Sequence, residues 1–183
     1  MRRLLAIILL ACPLSVLAAV TPSSVRQSVE RSGAPATLQS MELNGGLDTV
    51  LEGIAEGDNA WISLYPSLVP GTNSDLGEEF IDAMGFALVT APAKALSILD
   101  VVDKRITKKD EAMYRFGTPT VCTMGIVYSY DKPSSLRYYK AVTASLAAQG
   151  KHGAECLKII NESMHEIEAD DQQGKMTWGT RHG

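Results

Sequence analysis

Apolar residues recur at three- and four-residue spacing over most of the chain, which is the spacing of one face of an α-helix. The clearest stripe lies between Gly46 and Gly57, and its members are Leu47, Val50, Leu51, Ile54 and Ala55. Alternating apolar and polar positions, which are typical of strands, occur only in short runs. The pattern therefore predicts an all-α fold, a compact multi-helix bundle of antiparallel helical hairpins.

Turn-forming and capping residues divide this pattern into separate helices. Thr21-Pro22 has the sequence of a helix start, and Gly33, Gly57 and Gly150 have the position of helix ends. Ala91-Pro92 separates two stretches that each carry one apolar face. The predicted helices cover residues 22–33, 35–43, 47–56, 58–69, 74–88, 92–102, 131–148 and 153–169.

Two segments depart from the helical pattern. Residues 114–132 are rich in β-branched residues and turn formers, which predicts one long ordered loop with a short extended stretch at 126–130. Residues 170–183 are polar and interrupted by glycine, which predicts a flexible tail. We therefore expect a single helical domain over residues 19–169.

Residues 1–18 have the layout of a secretory signal peptide. Arg2 and Arg3 begin it, residues 4–11 form an apolar stretch, and Val16-Leu17-Ala18 resembles a cleavage site with small residues. The apolar run falls short of the roughly 20 residues that a membrane-spanning helix needs. We expect export with cleavage after Ala18, a periplasmic location and no transmembrane segment.

A lipoprotein is the alternative for the same segment. Leu9-Leu10-Ala11-Cys12 resembles a lipobox, in which Cys12 would carry the lipid. That interpretation leaves an apolar stretch of only eight residues, 4–11, and places apolar residues at a mature N-terminus that is usually polar. Anchoring at Cys12 is therefore the less favoured alternative.

Export leaves two cysteines in the mature chain, Cys122 and Cys156. An even pair in an oxidising compartment predicts a disulfide bond. A reactive or metal-binding thiol is the competing interpretation, but each cysteine has the other as a ready partner. The predicted bond ties the loop at Cys122 to the last helix.

Composition and charge exclude several classes of protein. The chain of 183 residues is 45% hydrophobic and 21% charged, which excludes disordered, collagen-like and multi-span membrane proteins. Its formal charge is −4, and without Arg2 and Arg3 it becomes −6, from 15 basic and 21 acidic residues. This acidic balance argues against a nucleic-acid partner.

The chain carries none of the motifs whose spacing serves a catalytic mechanism. His165 with Glu162 or Glu166 and one distant ligand could form a metal site, but a solvated acidic helix face explains these residues better. Glu78 and Glu79 lie in the first turn of a helix, where negative charge is stabilising. We therefore predict no catalytic residues, no metal, no cofactor and no enzymatic activity.

Four tyrosines lie within twelve positions, around the turn before a predicted helix. They are Tyr128, Tyr130, Tyr138 and Tyr139. Tyrosine is favoured at protein interfaces because it offers a large contact area at low entropic cost. We predict that these four form a partner-binding surface, with core packing as the alternative for about half of them.

The sequence reads Gly-Asp-Asn-Ala-Trp at 57–61 and Leu-Val-Pro-Gly-Thr-Asn-Ser at 68–74, followed by Ala91-Pro92 and Val121-Cys122. This pattern, over roughly residues 47–125, resembles a group of small exported helical proteins of Gram-negative bacteria that lack an assigned activity. In size, signal peptide, helical content and single disulfide, the chain is also similar to periplasmic immunity proteins that neutralise cell-wall amidases delivered by type VI secretion. The first resemblance implies a helical fold and supplies no catalytic residues.

These observations lead to a functional hypothesis. We expect a non-enzymatic periplasmic interaction protein, an immunity-type inhibitor that binds a cell-envelope-targeting toxin or hydrolase. The alternative is an envelope domain that binds a small molecule or a metal through His165 and its acidic neighbours. The sequence leaves homodimerisation open.

Overall fold

The computed structural model describes residues 19–106 and 111–182, and the predicted signal peptide with Cys12 lies outside them. The described chain contains helices and no strand, which confirms the predicted all-α fold. The α-helices are α1 Pro22–Asn44, α2 Leu47–Ala55, α3 Asn59–Ile62, α4 Tyr65–Leu68, α5 Ser74–Thr90, α6 Pro92–Asp103, α7 Thr118–Val121, α8 Lys132–Ala147 and α9 Ala154–Gln172. Short 3₁₀ helices occupy Val69–Gly71, Glu111–Phe116 and Gly125–Tyr128. Within the described ranges, every helix falls short of the length or the hydrophobicity that a membrane span requires.

Local capping chemistry determines where the long helices begin. Thr21, Asn73 and Asp131 precede α1, α5 and α8. In each case the side-chain oxygen accepts a hydrogen bond of 2.9–3.2 Å from the backbone N–H three residues later. Gly33 has a left-handed φ of +79° and breaks α1 into two helical segments, as the sequence predicts.

Helix α5 lies at the centre of the bundle and contacts α2, α6, α7 and α8. The residues that it buries are Gly77, Phe80, Ala83, Met84, Gly85, Ala87 and Leu88. Glycine at position 85 lets α8 approach closely, because a Cβ atom there would lie 3.2 Å from the Tyr138 hydroxyl. The small and large residues of α5 thus allow helices to pack on several of its sides.

The predicted disulfide is present. Cys122 and Cys156 are both buried, with an S–S distance of 2.05 Å and a Cα–Cα distance of 5.1 Å. The bond links the end of α7 to the first turn of α9. Helices α8 and α9 form a hairpin, in which the Tyr139 hydroxyl donates a 2.8 Å hydrogen bond to Oδ1 of Asn161.

The extended stretch predicted at 126–130 is wrong. Residues 125–128 form a 3₁₀ helix, in which the Val127 N–H donates to the Met124 carbonyl at 3.1 Å. The backbone of this segment finds hydrogen-bond partners locally, so its β-branched residues do not require a strand. Only an isolated parallel bridge between Tyr130 and Arg181 retains β geometry in the described chain.

The flexible tail predicted at 170–183 also needs correction. Helix α9 continues to Gln172, and Gly174 then turns the chain with a left-handed φ of +67°. We call residues 174–182 the C-terminal strap, and its residues 179–181 run along residues 127–131. Backbone hydrogen bonds of 2.9–3.1 Å join Gly179, Arg181 and Asp131 into this pairing. The polar composition of this segment suggests flexibility. The pairing that orders it could not be predicted from composition, because the two paired segments are distant in sequence.

Candidate partner-binding surface

Tyr128 ends the 3₁₀ helix at 125–128, and its side chain is prominent at the surface, since the residue is 71% exposed. The chain around it is anchored to α9 at two points. One is the Cys122–Cys156 bond, and the other is a 3.1 Å hydrogen bond from the Met124 N–H to Oγ of Ser163. Because the backbone around this turn is already held in place, little further backbone entropy is lost when a partner binds Tyr128.

Two clefts lie on either side of Tyr128. The first has a volume of about 380 Å³ and is lined by Glu78, Ile81, Asp82, Thr120, Thr123, Gly125, Tyr128 and Ser129. The second has a volume of about 250 Å³ and is lined by Thr123, Met124, Gly125, Tyr128, Ser163, Glu166, Ile167, Asp170 and Met176. Thr123, Gly125 and Tyr128 line both clefts, and Tyr128 is the large exposed side chain among the three, so it forms a ridge between them. We call this ridge and its two clefts the Tyr128 surface.

Both clefts carry acidic side chains. Glu78 and Asp82 of α5 line the first, and Glu166 and Asp170 of α9 line the second. Each pair is four residues apart, so its two side chains lie on the same face of the helix. The Tyr128 surface is thus an aromatic ridge with carboxylates on both sides.

Asp82 is a carboxyl whose pKa is shifted by its surroundings. Burial raises its pKa from the ordinary 3.8 to about 6. The nearby Ser129 hydroxyl, 3.5 Å from Oδ2, and the positive charge of Arg181 lower the pKa, whereas Glu78 and Glu79 raise it. Burial is the largest of these effects, because desolvation disfavours the charged form of the carboxyl. The first cleft therefore gains negative charge as the pH rises through about 6.

The structure does not bring the four predicted tyrosines onto one surface. Tyr138 is 8% exposed, and its hydroxyl donates a 3.1 Å hydrogen bond to the Gly85 carbonyl, so it is a core residue. Burial raises the pKa of this hydroxyl above its ordinary value. Tyr130 is half-buried, and Tyr139, also half-buried, faces α9. Tyr128 is the most exposed member of the predicted set.

Sequence reasoning missed the carboxylates of the Tyr128 surface. The sequence explains Glu78 by its position near the start of a helix and offers Glu166 as a metal ligand beside His165, and it assigns Asp82 and Asp170 no role in binding. Two like-charged pairs at i, i+4 spacing, on α5 and α9, are the signal that could have found them, because such pairs destabilise a helix. That cost is a reason to ask whether a partner uses the charges.

None of the three histidines lines the two clefts of the Tyr128 surface. Nε2 of His152 lies 3.1 Å from a carboxylate oxygen of Asp100, and Nδ1 of His182 lies 2.7 Å from one of Asp131. His165 is exposed on α9. In the part of the chain that the structure describes, no three His, Cys, Asp or Glu side chains are grouped to hold a metal ion.

We found no match between this chain and a known protein family, a curated protein or a solved structure. These comparisons therefore do not bear on the resemblances that the sequence suggested. The geometry of the Tyr128 surface is the basis on which a function can be proposed.

Proposed function

We propose that the protein is a non-enzymatic interaction protein of the periplasm, which binds a protein partner through the Tyr128 surface. In this proposal it acts as an immunity-type inhibitor of a toxin or hydrolase that attacks the cell envelope. One observation carries the proposal: an exposed tyrosine lies between two acidic clefts, on a turn that a disulfide anchors.

The chemistry of this surface indicates the kind of partner. A tyrosine ring on a constrained turn is a suitable anchor for a shallow apolar pocket of the partner. Carboxylates on both sides of the ring fit basic side chains around that pocket. Such charge complementarity accelerates association and makes it sensitive to salt. We therefore expect a partner with a basic rim around an apolar pocket.

Two further features support an exported inhibitor. Disulfide bonds such as Cys122–Cys156 form and persist in oxidising compartments. The periplasm, to which the predicted signal peptide would direct the chain, is such a compartment. The signal peptide that the sequence predicts also supports export. An inhibitor also needs no catalytic group of its own, which agrees with the missing catalytic motifs.

The first experiment compares two exposed tyrosines. The mature chain, residues 19–183, is immobilised as wild type, Tyr128→Ala and Tyr114→Ala, and is used to capture proteins from a periplasmic extract that contains envelope hydrolases. Tyr114 is 54% exposed and lies outside the Tyr128 surface, so it is a matched control. We expect a captured hydrolase whose affinity falls about tenfold or more with Tyr128→Ala and is unchanged with Tyr114→Ala.

A second measurement tests inhibition itself. The captured hydrolase is assayed on purified cell wall with increasing amounts of each variant. Wild type and Tyr114→Ala should inhibit it, with weaker inhibition at about 300 mM salt than at about 50 mM. The proposal fails if the bound enzyme keeps full activity, or if a deletion strain survives toxin-delivering competitors as well as its parent does.

A further inference from the structure

The C-terminal strap lies on residues 127–131 as an extended peptide lies on the edge of a sheet. The strap amides of Gly179 and Arg181 donate to carbonyls of that segment at 2.9 and 3.1 Å, and the Arg181 carbonyl accepts from the Asp131 N–H at 2.9 Å. The three bonds engage every second residue of the segment, which is the spacing of a strand edge, and they include the parallel bridge at Tyr130. Residues 127–131 therefore offer the hydrogen-bonding groups that β-strand addition requires.

The strap is held at the surface and not in the core. None of its residues is buried, and only Met176, Trp178 and Gly179 are partly covered. The indole Nε1 of Trp178 donates a 2.7 Å hydrogen bond to Oδ1 of Asp171, which is a polar contact near water. A segment with few buried apolar contacts and exposed backbone hydrogen bonds opens at low cost in free energy. The strap can therefore leave residues 127–131 while the helical bundle stays folded.

The charges of the strap and of its surroundings are complementary. Residues 174–182 carry basic side chains and no acidic one. Nδ1 of His182 lies 2.7 Å from Oδ2 of Asp131. Arg181 is close enough to Asp82 to lower the pKa of that carboxyl. The place that the strap occupies therefore suits a basic segment, and this is the charge that the proposed function expects of the partner.

One position of the strap has a strict size limit. A Cβ atom on residue 179 would overlap the backbone carbonyl group of Ser129. Any segment that pairs with residues 127–131 in this register therefore needs glycine at that place. The basic residue Arg181 follows two positions later. A matching segment thus has glycine, then any residue, and then a basic residue.

We propose that residues 127–131 bind an extended segment of the protein partner, and that the strap occupies this edge until the partner displaces it. The partner's segment pairs in parallel with the edge, with its glycine against Ser129 and its basic residue two positions later. A partner already bound at Tyr128 presents this segment at an effective concentration of about 1 mM, which is comparable to that of the attached strap. This inference rests on the proposed function and adds a second contact with the same partner.

A peptide with the sequence of the strap tests the edge without any partner. A fluorescent peptide of residues 174–183 is titrated with the mature full chain as wild type, Gly179→Ala and Thr180→Ala, and anisotropy measures binding. Gly179→Ala detaches the chain's own strap and should bind the peptide at least about tenfold more tightly than wild type, where the attached strap competes. Thr180 is exposed, so Thr180→Ala keeps the strap attached and should bind like wild type. Equal binding by all three chains, or no binding by Gly179→Ala, overturns the proposal.

Altered peptides test the sequence requirement on the chain with the detached strap. A peptide that carries Gly179→Ala should bind at least about tenfold more weakly, because its methyl group meets the backbone of Ser129. A peptide that carries Arg181→Glu should also bind more weakly, and this difference should shrink between about 50 and about 300 mM salt. A peptide that carries Thr180→Ala is the control and should bind like the unaltered one. Equal affinity of all these peptides overturns the proposal.

Hydrogen exchange in the wild-type chain supplies a test that needs no variant. An excess of the unlabelled peptide is added to isotope-labelled chain, and amide exchange is followed by NMR. The Gly179 and Arg181 amides should exchange faster, because the peptide displaces the attached strap. The Asp131 amide should stay protected, because a carbonyl of the peptide replaces that of Arg181. Unchanged exchange at all three amides, or loss of protection at Asp131 as well, overturns the proposal.

The same three amides separate this proposal from the proposed function. In the complex with a captured hydrolase, Gly179 and Arg181 should lose protection and Asp131 should keep it. A bound hydrolase that leaves all three protected overturns the displacement, and inhibition through the Tyr128 surface still stands. A failed capture counts against the proposed function, and the peptide experiments then decide the edge by themselves. A concentration-dependent dimer of wild type that Gly179→Ala abolishes also overturns the proposal, because the edge would then hold the strap of a second copy.

Discussion

The backbone N–H of Gly179 donates a 2.9 Å hydrogen bond to the carbonyl oxygen of Val127. Two residues later the Arg181 N–H donates to the Ser129 carbonyl at 3.1 Å. These bonds attach the C-terminal strap to the segment that carries Tyr128. A Cβ atom on residue 179 would lie only 2.2 Å from the Ser129 carbonyl carbon, so glycine alone fits this approach. The strap therefore helps to hold the Tyr128 surface in shape.

Gly179→Ala should detach the strap. Its methyl group meets backbone atoms rather than a side chain that can move, so we expect a loss of about 1–3 kcal/mol in the free energy of unfolding. Urea unfolding measures this loss, and faster hydrogen exchange at the Arg181 amide localises it. Gly125→Ala is the control, because its Cβ meets no atom nearer than Thr123 Oγ1 at 3.8 Å. Equal stability and equal exchange in both variants would contradict the attachment.

Removal of the disulfide should destabilise the domain substantially. The bond spans 34 residues, and closure of a loop of that length stabilises by about 3–4 kcal/mol in the chain-entropy model. We expect Cys122→Ser and Cys156→Ser to lose similar stability in urea unfolding, and the double variant to be no worse than either. In the folded, unreduced wild type a thiol reagent should label neither cysteine, and labelling of both would show that the bond is absent.

Asp82 should make stability depend on pH. Its pKa is raised from 3.8 to about 6, so the fold favours the protonated form. This contribution is fully present below about pH 4 and is lost as the pH rises through about 6. Asp82→Asn has no such loss, and relative to wild type it should gain about 1–2 kcal/mol between pH 4 and pH 7.

Chemical unfolding across this pH range measures the effect. Asp75→Asn is a control of the opposite kind, since it removes one charge from an exposed position in the first turn of the same helix, where negative charge is stabilising. Relative to wild type, Asp75→Asn should therefore not gain stability over the same interval. Parallel pH profiles of Asp82→Asn and wild type would show that burial does not govern this carboxyl.

Substitution by alanine should destabilise the protein strongly at Tyr138 and hardly at all at Tyr128. Tyr138→Ala removes a buried ring and leaves the Gly85 carbonyl without its hydroxyl donor, so a loss of about 3–5 kcal/mol is expected. Tyr128→Ala removes an exposed ring and should change stability by no more than about 0.5 kcal/mol. Thermal or urea unfolding of the two variants and of wild type measures both changes in stability. A large loss in Tyr128→Ala would mean that this ring serves the fold rather than a partner.

Features that depend on neighbouring residues could be predicted from the sequence. Thr21 and Asp131 cap helices with their own side chains, and Gly33 breaks α1 by its own backbone conformation. The apolar stripe of α2 likewise predicted a buried face, on which Val50 and Ile54 are core residues. The pairing of Cys122 with Cys156 followed from the count of cysteines and the expected compartment, so it needed no knowledge of the fold.

Features that depend on distant segments could not be predicted in the same way. Tyr128 and Tyr138 are the same residue type, and their burial differs because only one of them reaches the Gly85 carbonyl of α5. Glu78 and Glu166 lie on helices far apart in sequence, and the turn at 125–128 brings their clefts to either side of one ring. Local periodicity, capping and the cysteine count were sufficient to predict the long helices and the disulfide. Which side chains face solvent could be seen only in the folded chain, because burial depends on the segments that pack next to each residue.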